Sequence, residues 1–238
     1  MLPVAILAGG LATRLRPLTE TIPKALVEVA GRPFIHHQLT ALRQQGIEQV
    51  VLCLGYHGEM IEQEIGDGSA FDIDVHYAHD GPALLGTGGA LRQALPLLGD
   101  AFFVLYGDSY LRCDYPAIET AFRASGQPAL MTVLENRDRW DQSNIIFRAG
   151  QIICYNKRQR NPEMQHIDYG LGIINATLLQ DYPLNTAFDL ADVYRSLAMT
   201  GRLAGYEVSE RFYEIGSPEG LAETEQFLKQ QGQQEQYS

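Results

Sequence analysis

The 238-residue sequence lacks any long apolar run, has only three cysteines and carries more acidic than basic side chains. No stretch approaches the roughly 20 apolar residues of a membrane span, and no apolar leader follows a basic amino terminus. We therefore expect a cytoplasmic protein without a membrane partner. Cys53, Cys113 and Cys154 form no CxxC pair, so their spacing predicts neither a disulfide framework nor a zinc site.

The formal net charge of −11 argues against nucleic acid as a partner, because such binding depends on an excess of Lys and Arg. The positive charges are nevertheless grouped. One group consists of Arg14, Arg16 and Lys24, and a second lies in the acid-free stretch 142–162. Two local cationic groups in an acidic protein predict small phosphorylated ligands.

Short apolar runs alternate with helical patterns through the first half of the chain, which is typical of repeated βα units. The number of units predicts a three-layer α/β/α Rossmann-like sandwich with a mixed, mainly parallel central sheet. The predicted strands are 3–7, 49–55, 73–77 and 101–106, and the predicted helices between them are 33–46, 59–65 and 87–95.

The second half contains closely spaced apolar runs separated by turn residues, for which mixed or antiparallel strand pairing is expected. Helical spacing returns at 190–197, with Asn185 or Thr186 as the predicted N-cap. A last helix is predicted to begin with Ser217 as its N-cap. The polar tail 229–238 is predicted to fray.

The first predicted strand runs into LAGGLATRLRPLTETIPK, residues 7–24, where paired glycines precede three cations. This stretch does not fit the GxGxxG dinucleotide fingerprint or the GxxxxGK[ST] phosphate loop, which disfavours an NAD-linked dehydrogenase. A glycine-rich turn lets backbone amides approach a base or phosphate, and arginine can contact two phosphate oxygens at once. The alternative is that the glycines only turn the chain while the cations face solvent.

The stretch LAGGLATRLRPLTETIPKAL closely resembles the signature of the sugar-1-phosphate nucleotidyltransferases. LGTGGAL at 85–91, GD at 107–108 and IGSPEG at 215–220 follow in the order typical of that family. Within the family, the chain looks most like enzymes that act on D-glycero-D-manno-heptose 1-phosphate. The resemblance implies a single domain, 1–238, with a nucleotide-binding lobe over 1–108 and a smaller sugar-phosphate-binding lobe over 109–238.

The resemblance also implies a nucleoside triphosphate and a sugar 1-phosphate as substrates and Mg²⁺ as cofactor. It is compatible with a homo-oligomer. Arg14 would hold the β- and γ-phosphates, Lys24 would neutralise the α-phosphate and Asp108 would bind Mg²⁺, which makes these three the expected catalytic residues. Glu214 is the expected second metal ligand, although the family usually has aspartate there. The other implied contacts are Leu7, Ala8, Gly9, Gly10, Thr87 and Gly88 for the nucleotide, and Asn144, Asn156, Lys157 and Gly170 for the sugar phosphate.

Ordinary structural roles remain open for several of these positions. Thr87 would be a good cap for the helix that it opens, Asp108 could accept hydrogen bonds in an Asx turn, and Lys157 could lie solvated in a hairpin turn. Ala12 replaces the usual signature glycine, which is compatible with the loop only if its φ is negative.

The identity of both substrates is open. Asn156 and the segment 142–146 replace residues that are common in the sugar pocket of the family. The resemblance favours GTP with a heptose or hexose 1-phosphate; the alternatives are UTP, CTP or dTTP with another sugar or non-sugar phosphate. A non-catalytic nucleotide-sugar-binding regulator is the second hypothesis, but it would require loss of the phosphate-binding groups, which are all present.

Overall fold

The computed structural model describes residues 1–235. The strands are β1 Val4–Leu7, β2 Glu28–Val29, β3 Arg32–Pro33, β4 Gln49–Leu54, β5 Asp74–His79, β6 Ala101–Tyr106, β7 Ser109–Tyr110, β8 Ala129–Glu135, β9 Ile145–Arg148, β10 Gln151–Tyr155, β11 His166–Asn175, β12 Leu203–Val208 and β13 Tyr213–Glu214. The helices are α1 Phe34–Gln44, α2 Gly58–Ile65, α3 Gly86–Leu98, α4 Tyr115–Ser125, α5 Thr177–Gln180, α6 Leu190–Met199 and α7 Pro218–Glu235, with 3-10 turns at Thr13–Leu15, Lys24–Leu26 and Ser69–Phe71.

Nine strands form one sheet in the order β5-β4-β1-β6-β11-β8-β12-β10-β9. β1 pairs in parallel with β4 and β6, so that Val4 lies opposite both Val50 and Phe103. β11 is antiparallel to β6 and β8, and β10 is antiparallel to β12 and β9, whereas β8 and β12 are parallel. The sheet is mixed, as predicted. Its parallel pairing is concentrated in the first half of the chain, and the second half is mostly antiparallel.

The sheet has an apolar core on each face. Val4 and Ile6 of β1 pack on one face with residues of α1, α2 and α4, whereas Ala5 packs on the other face with α3 and α6. This alternation follows from the two-residue period of a strand. Fully burying an aliphatic side chain contributes about 1.5–3 kcal/mol, so both faces hold their helices by hydrophobic packing. The predicted three-layer α/β/α sandwich is confirmed.

The helix boundaries confirm one predicted cap and correct another. Ser217 Oγ accepts the backbone N–H of Gly220 at 3.0 Å and caps α7, as predicted. The N-cap of α6 is Asp189, whose carboxylate accepts a first-turn N–H, so the prediction of Asn185 or Thr186 is wrong. Asn185 instead takes a left-handed conformation with φ 58° in the preceding loop. α4 was not predicted.

The carboxyl end of the chain differs from its predicted frayed state. α7 continues to Glu235, so residues 229–235 are helical. The remaining tail residues, 236–238, lie outside the described residues. No helix within residues 1–235 is long and apolar enough to cross a membrane.

The fold places the site at one edge of the sheet. β4 and β6 flank β1 on opposite sides and run parallel to it, so the carboxyl ends of the three strands meet. This is the switch point where open α/β sheets bind ligands. The Gly107 N–H donates to the Leu7 carbonyl at 3.0 Å and joins the loops that leave β6 and β1.

Candidate active site

Two cavities open at this edge and share a wall. The β1 cavity has a volume of about 220 Å³ and the β11 cavity one of about 590 Å³. Tyr106 and Asp108, at the end of β6, border both cavities. Residues around the β1 cavity include Leu7, Ala8, Gly9, Gly10, Lys24, Cys53, Asp80, Leu84, Gly86 and Thr87, and those around the β11 cavity include Arg14, Trp140, Asn144, Asn156, Lys157, Asp168, Gly170 and Glu214.

The wall of the β1 cavity next to β4 consists largely of backbone. The Ala8 N–H donates to the Cys53 carbonyl at 2.9 Å, which continues the β1–β4 pairing beyond the end of the strand. A Cβ on Gly9 would lie 3.0 Å from the Gly55 nitrogen, so the loop can approach β4 this closely only without a side chain. The cavity therefore presents main-chain groups to a ligand.

In the loop beyond Gly10, Ala12 does not have the negative φ that the sequence analysis required. Ala12 has φ 48° and ψ 41°, which is the left-handed conformation. Its carbonyl accepts the Thr19 hydroxyl at 2.8 Å and the Leu15 N–H at 3.1 Å, and these bonds hold the loop. For a residue with a side chain, this conformation costs about 1–2 kcal/mol. The expectation of a negative φ was wrong, because tertiary hydrogen bonds outweigh the local preference.

The glycines that open α3 pack against the loop that precedes α6. A Cβ on Gly88 would collide with the Phe188 ring, and a Cβ on Gly89 would lie 2.6 Å from the Thr186 carbonyl oxygen. The Gly88 N–H donates to the Phe188 carbonyl at 3.0 Å. Of the described residues, α3 contributes Gly86, Thr87 and Ala90 to the β1 cavity, and Gly88 serves the packing of the helix.

The Thr87 side chain borders the β1 cavity and links α3 to α6. Its hydroxyl donates to Asp189 Oδ1 at 2.8 Å and accepts the Leu190 N–H at 2.8 Å. It makes no capping bond to α3, whose N-cap residue is Leu85. The alternative that Thr87 caps its own helix is therefore wrong; it binds the amino terminus of α6 instead.

Cations and carboxylates converge where the two cavities meet. Lys24 Nζ lies 3.0 Å from Asp108 Oδ2, and the Lys24 side chain is only 19% exposed. A Cβ on Gly216 would lie 3.3 Å from both Arg14 Nη2 and Asp108 Oδ2, and closer still to Glu214 Oε2. Within the described part of the chain, Arg14 makes no ion pair or side-chain hydrogen bond. An unpaired guanidinium at this point suits a ligand with phosphate groups.

Glu214 is held beside Asp108 by the short β7–β13 pair. The Ile215 N–H donates to the Asp108 carbonyl at 2.9 Å, and Ser217 Oγ donates to Glu214 Oε1 at 3.0 Å. Glu214 also accepts the Gly216 N–H. Residues 1–235 contain no group of three or more His, Cys, Asp or Glu placed to hold a metal. Two carboxylates fit Mg²⁺ when waters and phosphate oxygens of a ligand complete its coordination.

On the opposite side of the β11 cavity, Lys157 is held by a buried carboxylate. Its Nζ lies 3.4 Å from Asp168 Oδ2, and the Asp168 side chain is 7% exposed. Asp168 also accepts the Tyr155 hydroxyl at 3.2 Å and the Gly170 N–H at 3.1 Å. Burial, reinforced by Asp168, raises the pKa of Tyr155, which therefore stays a hydrogen-bond donor. Lys157 is positioned rather than freely solvated.

The two asparagines of the β11 cavity organise its wall. Asn144 Oδ1 accepts the Asp168 N–H at 3.1 Å. Asn156 Oδ1 accepts the N–H groups of Arg158 at 2.8 Å and Gln159 at 2.9 Å, which forms the turn after β10. Both residues border the cavity, and both side-chain oxygens already have partners.

Sequence reasoning missed Asp80, which directly follows β5 and borders the β1 cavity. Its Oδ2 accepts the Leu85 N–H at 3.0 Å. Burial raises the pKa of Asp80, and the bond from Leu85 partly opposes this shift. The available signal was an acid shortly after the predicted strand 73–77, which in the structure continues to His79. Burial, with Asp80 adding to it, raises the pKa of the neighbouring Cys53 thiol to about 12, so the cavity contains no ready cysteine nucleophile.

Comparison with known proteins defines the class. Residues 4–143 match the nucleotidyl transferase family. The chain is 42% identical over 218 residues to the N-acetylmuramate alpha-1-phosphate uridylyltransferase of Neisseria meningitidis, which covers 89% of this chain and 92% of that protein. The chain belongs to the nucleotidyl transferase family, and it is a sugar-1-phosphate nucleotidyltransferase.

Other relatives differ in base and sugar. The mannose-1-phosphate guanylyltransferase catalytic subunit beta of Xenopus tropicalis is 30% identical over 221 residues, or 90% of this chain, and the chain spans 61% of the length of that relative. The crystal structure of HddC from Yersinia pseudotuberculosis complexed with GMP-PN has a TM-score of 0.82 at 25% identity, covering 96% of this chain and all of HddC. A Bacillus anthracis structure described as a putative glucose-1-phosphate thymidylyltransferase, with a TM-score of 0.84 at 20% identity and covering 96% of both chains, shares the fold.

Proposed function

We propose that the chain transfers a uridylyl group from UTP to N-acetylmuramate 1-phosphate or a closely related sugar 1-phosphate, producing a UDP-sugar and pyrophosphate. Support comes from the Neisseria uridylyltransferase, which is 42% identical over 92% of its length, against 30% for the Xenopus guanylyltransferase. This proposal replaces the guanine that the sequence analysis favoured. GTP with a heptose or hexose 1-phosphate is the second candidate, supported by the similarity to HddC complexed with GMP-PN.

In the proposed reaction, the nucleotide occupies the β1 cavity and the sugar phosphate occupies the β11 cavity. A phosphate oxygen of the sugar attacks the α-phosphorus, a new P–O bond forms, and the bond to the β-phosphate breaks to release pyrophosphate. The observation that carries this proposal is the convergence of Arg14, Lys24 and Asp108 where the two cavities meet. No side chain of the protein needs to act as nucleophile, because the sugar phosphate supplies one.

Lys24 and Arg14 reduce the repulsion between the two anionic substrates. Two unit charges about 4 Å apart repel by roughly 4 kcal/mol at an effective dielectric of 20, and several such charges must approach. Asp108 holds Lys24 in place before the substrates bind, so little reorganisation is needed. We assign Lys24 to the α-phosphate and Arg14 to the β- and γ-phosphates.

We assign base recognition to Asp80, with Leu84 as an apolar neighbour in the same cavity. Among the described residues, the Asp80 carboxylate accepts one hydrogen bond, from Leu85. Its remaining capacity suits the imide N–H of uracil. The backbone of residues 7–10 and the Thr87 side chain complete the nucleotide contacts.

Mg²⁺ is the proposed cofactor, held by Asp108 and Glu214, and it would neutralise charge on the phosphate oxygens. We propose that residues 1–108 mainly bind the nucleotide and residues 109–238 mainly bind the sugar phosphate. Arg14 crosses this division, since it lies within residues 1–108 but borders the β11 cavity. A cytoplasmic location would give access to nucleoside triphosphates.

The experiment is to incubate the protein and Mg²⁺ with each nucleoside triphosphate and a panel of sugar 1-phosphates, and to measure pyrophosphate release. UTP with N-acetylmuramate 1-phosphate should give the highest rate. Nucleotide binding by calorimetry without release from any pair would instead support the regulatory hypothesis. Asp108→Asn should abolish most activity, whereas the exposed Asp181→Asn serves as control; undiminished activity of Asp108→Asn would contradict the metal assignment.

A further inference from the structure

The loop between β8 and β9, residues 136–143, contributes to the wall of the β11 cavity and carries the exposed Arg139 next to that wall. Trp140 borders the cavity, and Arg139 Cζ lies 5.2 Å from the centroid of its ring. Arg211 Cζ lies 5.4 Å from the same centroid. We propose that Arg139, held on Trp140, binds a carboxylate on the acceptor sugar and determines specificity for an acidic sugar 1-phosphate. This inference rests on the proposed function and specifies its acceptor.

Arg139 differs in its partners from the cations around it. It is exposed, and in the described part of the chain its guanidinium has no ion pair or side-chain hydrogen bond beyond the contact with Trp140. The charge of Arg211 is compensated, because its guanidinium pairs with Glu223 at 2.6 Å. The remaining Lys and Arg residues between positions 135 and 160 all form ion pairs: Arg137, Arg148, Lys157, Arg158 and Arg160. Apart from Arg14 at the junction of the cavities, Arg139 is therefore the guanidinium near this cavity that is available to an anion from outside the chain.

Hydrogen bonds of a buried asparagine anchor the loop that carries Arg139. Asn136 is buried, and its side-chain amide donates to the Asp141 carbonyl at 2.6 Å and to Ser143 Oγ at 3.1 Å. Asn136 Oδ1 accepts the Trp140 N–H at 3.2 Å. These bonds fix the Trp140 backbone, and a planar guanidinium stacked on an aromatic ring loses less freedom when it binds an anion. Arg139 is thus preorganised beside Trp140, which borders the cavity.

The anion that suits this position is a carboxylate rather than the phosphate of the acceptor. Lys157 and Arg14 are the cations that border the β11 cavity itself, and they are assigned to the phosphate groups. Asp141, whose Oδ1 accepts the Gln142 N–H, also borders this wall, so an anion is favoured here only where it contacts a cation directly. A guanidinium can hold a carboxylate through two parallel hydrogen bonds. N-acetylmuramate 1-phosphate has such a carboxylate on its lactyl ether, and N-acetylglucosamine 1-phosphate lacks it.

The test compares these two acceptors in steady-state assays of pyrophosphate release with saturating UTP and Mg²⁺. Arg139→Gln should lower kcat/KM for N-acetylmuramate 1-phosphate by about tenfold or more, mainly through KM, since it removes a charge-assisted hydrogen bond. The same variant should change kcat/KM for N-acetylglucosamine 1-phosphate by less than about twofold, as expected for a surface substitution. Arg139→Lys keeps the charge and should recover part of the loss.

Arg137→Gln is the matched control, because Arg137 lies in the same exposed loop but pairs with Glu135. It should leave both acceptors unchanged. Equal losses for both acceptors in Arg139→Gln, or a wild-type enzyme that prefers the acceptor without the carboxylate, would overturn this inference and leave the reaction class standing. Absence of product from every acceptor and nucleotide would overturn the proposed function itself, and the inference with it.

Discussion

The two cavities that meet at Asp108 are lined by different kinds of groups. The β1 cavity is small and lined by main chain, glycines and apolar groups, with Lys24, Asp80 and the shared Asp108 as its charged residues. The β11 cavity is more than twice as large, at about 590 Å³ against about 220 Å³, and is lined mainly by polar and aromatic side chains. Its walls come from loops and from β11, not from one contiguous motif.

Because of this difference, the two cavities respond differently to substitutions that could change their ligands. A backbone-lined cavity tolerates little sequence change, because each glycine that permits close approach is required by its neighbours. A cavity lined by loop side chains can change its ligand through single substitutions without altering the fold. We therefore expect the β1 cavity to determine the reaction and the β11 cavity to determine which sugar is accepted.

The largest expected effect is at the junction of the cavities. Lys24→Ala should lower kcat/KM by about 100- to 1,000-fold, or roughly 3–4 kcal/mol, because it removes a preorganised charge at the reacting phosphate. Steady-state pyrophosphate release gives this value. Lys229→Ala, in an exposed pair with Glu225 on α7, is the control and should behave like wild type. A loss of the same size in both variants would contradict the assignment.

Lys157→Ala should affect one substrate only. Removal of a hydrogen bond to a charged group should raise the KM for the sugar 1-phosphate by about tenfold or more. The KM for the nucleoside triphosphate should stay within about twofold, since Lys157 borders the β11 cavity and not the β1 cavity. Varying each substrate at saturation of the other separates the two values. An equal rise in both KM values would contradict the assignment of the two substrates to separate cavities.

Gly88→Ala tests whether this glycine of the signature serves packing. The new Cβ would collide with the Phe188 ring and should lower the free energy of unfolding by about 1–3 kcal/mol. Urea denaturation measures this change. Gly232→Ala in α7 is the control, because no heavy atom lies within 4 Å of a Cβ there, and it should be neutral or stabilising. Full stability of Gly88→Ala would show that the Phe188 contact is not tight.

Ala12→Gly has the smallest expected effect and the opposite sign. Glycine relieves about 1–2 kcal/mol of left-handed strain but gains about 0.4–1 kcal/mol of entropy in the unfolded chain, so the net stabilisation should be about 0.5–1 kcal/mol. The midpoint of thermal unfolding should rise correspondingly. A lower midpoint would mean that the left-handed strain at Ala12 is smaller than the entropy that glycine adds to the unfolded chain.

The sequence predicted the β1 cavity better than the β11 cavity, for a physical reason. Strand periodicity and the 7–24 stretch are local signals, and the structure confirms β1, β4, β5 and β6 together with the three-layer sandwich. The role of Thr87 was not predictable, because it depends on contacts with Asp189 and Leu190, about 100 residues away. The Asp189 cap is a local bond to Ala191, and an aspartate directly before Leu190 was an available signal.

The β11 cavity depends even more on contacts between distant positions, which local sequence signals do not show. Lys157 was identified from the acid-free stretch, but the Asp168 carboxylate that holds it lies on another strand. Arg139 looks like any exposed cation until the ion pairs of its neighbours are known. Asp80 is a different case: it lies shortly after the predicted strand 73–77, and the rule that ligands bind at the carboxyl ends of strands pointed to it.

The most direct test of the two-cavity account is a calorimetric titration with a non-hydrolysable UTP analogue and Mg²⁺. A sugar 1-phosphate accepted in the pyrophosphate assay is titrated into the free protein and into the protein saturated with the analogue. The account predicts one acceptor site per chain in both titrations, because the two ligands occupy separate cavities. Loss of acceptor binding in the saturated protein would mean that both ligands compete for one site, and it would contradict the account.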